Sequence, residues 1–374
     1  GKYHTNPRLS IYNIIYYILY NNCNMNDKIN IIKNSIPLID LRAPIEFSKG
    51  AFPSSINIPI LNNDQRSQVG IKYKNAGTHE AEKLGFKLLK NERNIRVQLW
   101  KKFINKNPNT HLYCMRGGKR SQIAKSWLND EGINVPIIDG GYKALRNTAI
   151  EILDSVKNDQ KKWIILAGRT GVGKTNILKK FKSSIDLEHH AMHRGSAFGG
   201  LLKDQPTPIN FENNLASEYI KHPSNILFLE DESQRIGKII LPKIWYRKMK
   251  ECKIIIINLP IEERIINIAN EYVYTPLKNG LSKKDLNKSL QSSLIKIRRR
   301  LGLMLYNKIS LKIQNILVDS HKTTHEEWIK ELLVNYYDPM YDYQLEAKKN
   351  RCIFEDNKSE VTNFLAQIES KQSL

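Results

Sequence analysis

Cysteine is scarce: only Cys23, Cys114, Cys252 and Cys352 occur in 374 residues, far apart and without a C-x-x-C or a Cys/His pairing. Such spacing gives neither a zinc-ligand set nor a disulfide framework, so a reducing, cytoplasmic setting is expected. Long apolar runs are missing too. The run "IYNIIYYILY" at 11–20 is ten residues long and interrupted by Asn13, whereas a bilayer-spanning helix needs about 20. No small-residue cleavage site follows it, which argues against a signal peptide, and no membrane partner is expected. Acidic residues are the third shortage, with 37 Asp and Glu against 59 Lys and Arg for a net charge of +22. That balance favours a polyanionic partner, nucleic acid foremost, even allowing for a compositional bias toward Ile, Asn, Tyr and Lys. No internal repeat and no long low-complexity segment is present.

What is there has room for two compact domains and an appendage. Residues 1–24 read as an N-terminal extension, with Met25 opening the first folded stretch. From 25 to 155 short strands alternate with helices: "IPLID" and "SINIPI", helical spacing of Leu84, Leu88, Leu99 and Phe103, then the strand "THLYC". Ile123, Ala124, Trp127 and Leu128 form one face of a following helix, and "VPIIDGGY" at 135–142 reads as a closing strand and turn. This alternation predicts a parallel sheet covered on both faces. Charged "KNDQKK" at 157–162 reads as a linker. A second α/β domain is expected over 160–260, with "WIILAG", "ILFLE" and "IIIIN" as central strands. Beyond 260 no strand is predicted; 261–374 reads as a mainly helical, basic region ending in a helix over "IFEDNKSEVTNFLAQI".

Two loops carry chemistry. In "LYCMRGGKRSQ" (112–122) Cys114 stands between a strand and a helix, so backbone N–H groups and the positive helix end converge on it. Gly117 and Gly118 allow the tight curvature, and Arg116, Lys119 and Arg120 add positive potential. The thiol pKa is expected to fall from about 8.5 into the range of roughly 3.5 to 7.5 seen at such sites. An anion-cradling thiolate suits either chalcogen transfer or cysteine-phosphatase attack, and the spacing from Cys114 to Arg120 and Ser121 fits both. In "GRTGVGKT" (168–175) every fixed position of the phosphate loop G-x-x-x-x-G-K-[ST] is matched, between a predicted strand and a predicted helix. Gly168, Gly171 and Gly173 shape that loop, Lys174 neutralises a phosphate, and Thr175 is placed to hold Mg²⁺ with an acid at a strand end, Asp231 or its neighbour Glu230. A diphosphate on any carrier satisfies this loop.

Upstream, "LIDLRAPIEFSKGAFPSSINIPI" (38–60) resembles the leading signature of rhodanese domains through Asp40, Arg42, Glu46, Gly50, Asn57 and Pro59. Asp40 and Arg42 read first as a structural pair, with Arg42 also a candidate substrate contact. Adding "RGGKRSQ" (116–122), "GGYKALR" (140–146), "HRGSAFG" (193–199), "LEDES" (229–233), "RRLGL" (299–303) and "YYDPMYDYQL" (336–345), the chain from about 36 to 350 resembles the bacterial tRNA 2-selenouridine synthases. Those enzymes join a rhodanese domain to a P-loop domain. The resemblance implies an α/β chain: a rhodanese-like parallel-sheet domain, then a P-loop NTPase-like α/β domain with a helical C-terminal region.

The activity so implied is conversion of 2-thiouridine at the tRNA wobble position to 2-selenouridine through S-geranyl-2-thiouridine, with geranyl diphosphate and selenophosphate as substrates. Cys114 would carry selenium as an S-selanyl group, with Arg116 and Arg120 assisting; the phosphate loop would take the prenyl diphosphate. His193, Arg194 and Ser196 are candidate substrate contacts. The triple "RRR" at 298–300 is a candidate RNA-phosphate contact, and Tyr336, Tyr337, Tyr341 and Tyr343 read as packing before base stacking. No tightly bound cofactor beyond Mg²⁺ is expected; the partners are the tRNA anticodon loop and a selenophosphate source, and the chain is expected to be a monomer. Two alternatives stand beside this reading: a rhodanese-type tRNA sulfurtransferase, and a non-catalytic nucleotide-binding regulatory module.

Overall fold

The computed structural model describes residues 26–196, 198–200, 204–318 and 324–371. The expected extension at 1–24, with its apolar run and Cys23, lies outside them. Contacts divide the chain into two units, one running to Asp154 and including Thr207–Lys221, the other Ser155–Pro206 with His222 onward.

The first unit is built on a parallel sheet of three short strands, β1 (Leu38–Asp40), β2 (Ser55–Asn57) and β3 (His111–Tyr113), in the order β2-β1-β3. The central strand β1 is buried throughout, as a parallel strand covered on both faces must be. The expected strand at 135–142 is reduced to one parallel bridge between Ile137 and Leu112 before the turn at Gly140 and Gly141. Helices Asn63–Leu89, Arg93–Lys106, Lys119–Asn129 and Gly141–Asp154 surround the sheet. Trp100 and Trp127 stack at 6.2 Å between ring centroids, and the Trp100 indole N–H donates to the Ile58 carbonyl at 3.0 Å. Burying the ring therefore leaves no polar group unpaired.

Residues 207–221, expected within the P-loop domain, belong to this first unit. Helix Pro208–Lys221 buries Phe211, Leu215, Ala216 and Tyr219, and Asn213, fully buried, donates to the Ala51 carbonyl at 2.9 Å while accepting from Arg146 at 2.9 Å.

The second unit has a parallel sheet in the order β5-β4-β8-β9, from β4 (Lys162–Gly168), β5 (Ile226–Glu230), β8 (Lys253–Asn258) and β9 (Cys352–Asn357). A two-residue ribbon pairs β6 (Arg235–Ile236) with β7 (Ile239–Ile240). Strand β9 corrects the expectation that strands end near 260. It pairs in parallel with β8 and precedes helix Lys358–Ser370, whose first turn is capped by Asn357 accepting from the N–H groups of Ser359 and Glu360. The expected final helix over "IFEDNKSEVTNFLAQI" is thus an edge strand followed by a helix. The intervening helices do form an all-helical layer, around Leu290, Leu294, Ile309, Ile313, Trp328 and Ile329. Among the described residues no helix is long and apolar enough to cross a membrane.

Candidate active sites

Each unit holds one site. In the first, β3 delivers Cys114 to the start of a loop that leads into helix Lys119–Asn129. Two glycines make the loop. Gly117 has φ of +67° and Gly141 of +57°, and a Cβ on Gly141 would lie 2.4 Å from the Cys114 carbonyl and 2.5 Å from the Gly117 nitrogen. Only glycine permits that approach. The turn is then clamped, as the N–H groups of Tyr142 and Lys143 donate to the carbonyls of Cys114 and Met115 at 2.9 and 3.0 Å.

Cys114 is 4% exposed. Burial by itself favours the neutral thiol, but hydrogen bonds from the Ser121 hydroxyl and from the N–H groups of Arg116 and Ser121, with the charge of Arg120, outweigh it and hold the pKa below the ordinary thiol value. Ser121 is fully buried. Elsewhere burial dominates: the Cys252 thiol is pushed up to about 11 and that of Cys352 is raised. Iodoacetamide at pH 7 is therefore expected to label Cys114 ahead of Cys252 and Cys352, with a rate that is lost as pH falls through the lowered Cys114 pKa. Peptide mapping of the labelled protein over pH 5–9 checks this, and a rate still climbing steeply at pH 9 would contradict it.

The cations expected around Cys114 divide. Arg116 contributes its N–H while its side chain is exposed. Arg120 makes a two-pronged ion pair with Glu46 at 2.7 and 3.2 Å, and Arg66 meets the same carboxylate at 3.1 Å. Arg42 is corrected from a candidate substrate contact to an internal brace. It is 1% exposed, its guanidinium bonds Asp40 at 2.6 and 3.0 Å and the Gly50 carbonyl at 2.7 Å, and it lies 3.7 Å from the Tyr142 ring centroid.

In the second unit, β4 ends at Gly168 and the loop runs to Lys174, which opens the short helix Lys174–Leu178. Gly171 (φ +85°) and Gly173 (φ +79°) take left-handed conformations, and a Cβ on Gly171 would meet Ile268 and the Arg264 carbonyl at 2.8 and 2.9 Å. The loop is braced from behind. Arg264, itself 1% exposed, donates to the Thr170 carbonyl at 2.9 Å and pairs with Asp338; Asn267 donates to the Gly171 carbonyl at 2.8 Å; Arg169 pairs with Asp342 at 2.6 Å. The segment "YYDPMYDYQL" is thus mainly a clamp for the phosphate loop, with Tyr337 buried and Tyr343 81% exposed.

Lys174 donates to the Gly168 carbonyl at 3.2 Å. Burial opposes its charge, but Tyr341, Glu230, Glu232 and Glu188 outweigh it and raise its pKa. Three of these neighbours form a cluster, since Glu188, Glu230 and Glu232 bring carboxylate oxygens within 4.8 Å of one another. Burial raises all three; repulsion within the cluster adds to it at Glu188, pushed up to about 10, and at Glu232, pushed up to about 8, whereas at Glu230 the Lys174 charge and the Thr175 hydroxyl oppose it. Glu230 interacts with the Thr175 hydroxyl, and its Oε1 is buried without a partner. Asp231, expected beside Thr175 at a metal site, is instead ion-paired with Lys348. Adjacent residues at a strand end face opposite ways, and here Glu230 faces the loop. Glu188, Glu230 and Glu232 are the residues here that could together hold a divalent cation.

The "HRGSAFG" loop joins this cluster. A Cβ on Gly195 would lie 2.8 Å from Glu188 and 2.9 Å from Glu232. Arg194 pairs with Glu271 at 3.0 Å, and Ser196 shares a hydrogen bond with Tyr272 at 3.3 Å. His193 has its pKa lowered by burial and by Lys296, and its Nδ1 is unpartnered. Beside the phosphate loop lies an apolar pocket lined by Thr170, Phe198, Ile268, Tyr272, Trp328 and Tyr337. In the helical layer Arg298, Arg299 and Arg300 are exposed. Sequence reasoning missed Glu188, Glu232, Glu271 and Arg264. Only Glu232 carried a local signal, its spacing of two from Glu230.

Comparison with known proteins finds two family models, the C-terminal of which runs through residues 207–221 as well. The family model described as the tRNA 2-selenouridine synthase AAA domain matches residues 161–372, and that of the rhodanese-like domain matches 24–148. A tRNA 2-selenouridine synthase from Shewanella halifaxensis is 40% identical over 350 residues, 90% of this chain and 96% of its own length. One from Sulfurovum sp. is 40% identical over 352 residues, with 90% and 96% covered, and one from Hydrogenovibrio crunogenus is 41% identical over 353, with 90% and 97% covered. A solved structure, the N-terminal domain of an ATP/GTP binding protein from Clostridium difficile 630, is 32% identical and covers 30% of this chain and 88% of its own at a TM-score of 0.29.

Proposed function

The chain belongs to the tRNA 2-selenouridine synthases, transferases that act on tRNA, and we propose that it exchanges sulfur for selenium at a wobble 2-thiouridine through an S-geranyl intermediate. Geranyl diphosphate and selenophosphate are the small substrates. In the first step the thiocarbonyl sulfur attacks the allylic carbon, the carbon–oxygen bond breaks, and its electron pair leaves with diphosphate. Over the whole of the second, a carbon–selenium bond forms at C2 and the carbon–sulfur bond breaks, its electron pair leaving as geranylthiolate. Selenophosphate brings selenium at the level of selenide and its phosphoryl group passes to water, so the exchange is redox-neutral.

One observation carries the selenium half: a buried cysteine whose thiolate is favoured by the N–H groups of Arg116 and Ser121, the Ser121 hydroxyl and the charge of Arg120. Selenium, an anion of the same kind as sulfur, suits such a nest. Cys114 is accordingly assigned to the exchange itself: its thiolate displaces geranylthiolate at C2, and hydroselenide released from selenophosphate then displaces the cysteine thiolate, with Arg116 and Arg120 supporting the charge, so that no sulfur–selenium bond and no oxidant is involved. The prenyl half draws support from the phosphate loop itself, in which Gly171, Gly173, Lys174 and Thr175 suit the diphosphate of the donor. Mg²⁺, when bound at Thr175 and Glu230, supplies positive charge against the diphosphate. Arg194, Ser196 and the neutral His193 border the same region as substrate contacts. The protein is proposed to be a cytoplasmic monomer.

The test uses a synthetic anticodon stem-loop with 2-thiouridine at the wobble position. Nucleoside mass spectrometry is expected to show S-geranyl-2-thiouridine after geranyl diphosphate is added, and 2-selenouridine only once selenophosphate follows. Selenouridine formed without any prenyl donor, or tight binding of ATP with none of geranyl diphosphate, would overturn the route.

A further inference from the structure

We propose that a cleft in the first unit, beside the Cys114 loop, receives the prenyl chain carried on the sulfur of the substrate uridine. The inference rests on the S-geranyl route above and assigns a place to its leaving group.

Helix Asn63–Leu89 is broken at Gly77, where φ is +78° and ψ is −176°, and its two halves fold back so that Gly85 lies against Val69, a Cβ there being 3.8 Å from Val69 Cγ2. Between this hairpin and helix Lys119–Asn129 opens a cleft of about 730 Å³. Its surface includes Val69, Ile71, Tyr73, Phe86, Leu89 and Ile123. Three of these are large apolar side chains left open to water, Ile71 at 58%, Tyr73 at 58% and Phe86 at 51% exposure. Exposed apolar side chains gathered in one concave place, in a chain this highly charged, mark a surface that hydrocarbon is meant to cover.

Location singles out which hydrocarbon. Lys119 and Arg120, the first residues of the helix that the Cys114 loop feeds, form one wall together with Glu46 and Arg66. The charge of Arg120 acts on Cys114 directly, so the cleft begins where the thiolate nest ends. A uridine with C2 at the nest would direct its sulfur substituent along this wall. The cationic rim suits both the departing thiolate and the RNA phosphates, whereas the apolar floor suits a chain of isoprenoid length and gives nothing to a phosphate. Displacement follows the balance already stated: the C2–S electron pair leaves with the prenylthiolate, which the cleft holds as Cys114 takes its place at C2.

The experiment compares selenation of two pre-alkylated stem-loops, S-geranyl and S-methyl, by the full-length protein and by two variants that spare the fold. Gly70→Trp fills the cleft from a position whose Cβ would have nothing within 4 Å, and Phe86→Asp places a charge on an exposed wall. Each is expected to lower kcat/KM for the S-geranyl substrate about tenfold to a hundredfold, the scale of losing a few buried methylenes, and to leave the S-methyl substrate within about twofold. Unchanged melting temperature and Cys114 labelling show that the fold survives. Equal losses on both substrates, or a wild type that uses S-methyl as efficiently as S-geranyl, would overturn the cleft assignment while leaving the route intact. A wild type that selenates neither substrate would overturn the route, and the assignment with it.

Discussion

Serine in place of Cys114 is expected to stop selenium transfer, a loss of about three orders of magnitude or more, while prenyl transfer to 2-thiouridine stays within about twofold of wild type. The two side chains differ by one atom, and the serine oxygen can still accept from the N–H groups of Arg116 and Ser121, so the loop held by Gly117, Gly141 and Tyr142 keeps its shape. What vanishes is the ionised, polarisable sulfur. A hydroxyl in the same nest remains protonated at neutral pH and is a poor nucleophile toward C2. No other described thiol substitutes, because Cys252 is held near 11 and Cys352 is also raised by burial. S-geranyl-2-thiouridine should therefore accumulate in the reaction, visible by nucleoside mass spectrometry. If both steps ran at the normal rate, Cys114 would not be the selenium residue; if both were lost with a lowered melting temperature, the loop would be structural.

Features written within a few neighbouring residues were legible. The phosphate loop needs its glycines, lysine and threonine at fixed separations, and the structure has "GRTGVGKT" leaving β4 and opening a helix. The Cys114 loop was equally local, as was the pairing of Asp40 with Arg42, two residues apart and both buried. Illegible features depend on which distant surfaces meet. Helix Pro208–Lys221 has an ordinary amphipathic pattern, which says that one face is buried but not that Asn213 will reach Ala51. Strand β9 is an edge strand alternating half-buried and exposed residues, so it lacks the apolar run that announced β5 and β8. Whether Glu230 or Asp231 faces the phosphate loop turns on a register of one residue, and Lys348, far along the chain, takes Asp231. Glu188 carried no local signal at all; only the fold brings it beside Glu230 and Glu232.

Replacing Lys174 with alanine is expected to do the converse of the cysteine change, lowering prenyl transfer about a hundredfold to a thousandfold, as removal of one preorganised donor to a developing anion does. Breaking the allylic carbon–oxygen bond concentrates negative charge on the departing diphosphate, and an ammonium beside it is worth far more in this setting than in water. Lys174 is prepared for the role. Its amine is already directed by the Gly168 carbonyl at 3.2 Å, and the pull of Tyr341, Glu230, Glu232 and Glu188 overcomes the burial that would otherwise neutralise it. Because its pKa is raised, the charge persists through the whole range in which the enzyme is assayed, and any fall in prenylation below pH 7 must come from other groups. A stem-loop supplied already S-geranylated bypasses the defect, so Lys174→Ala should selenate it within about twofold of wild type. Loss of selenation on that substrate would mean that the phosphate loop serves the selenium step instead, and unimpaired prenylation would remove the diphosphate from this loop altogether.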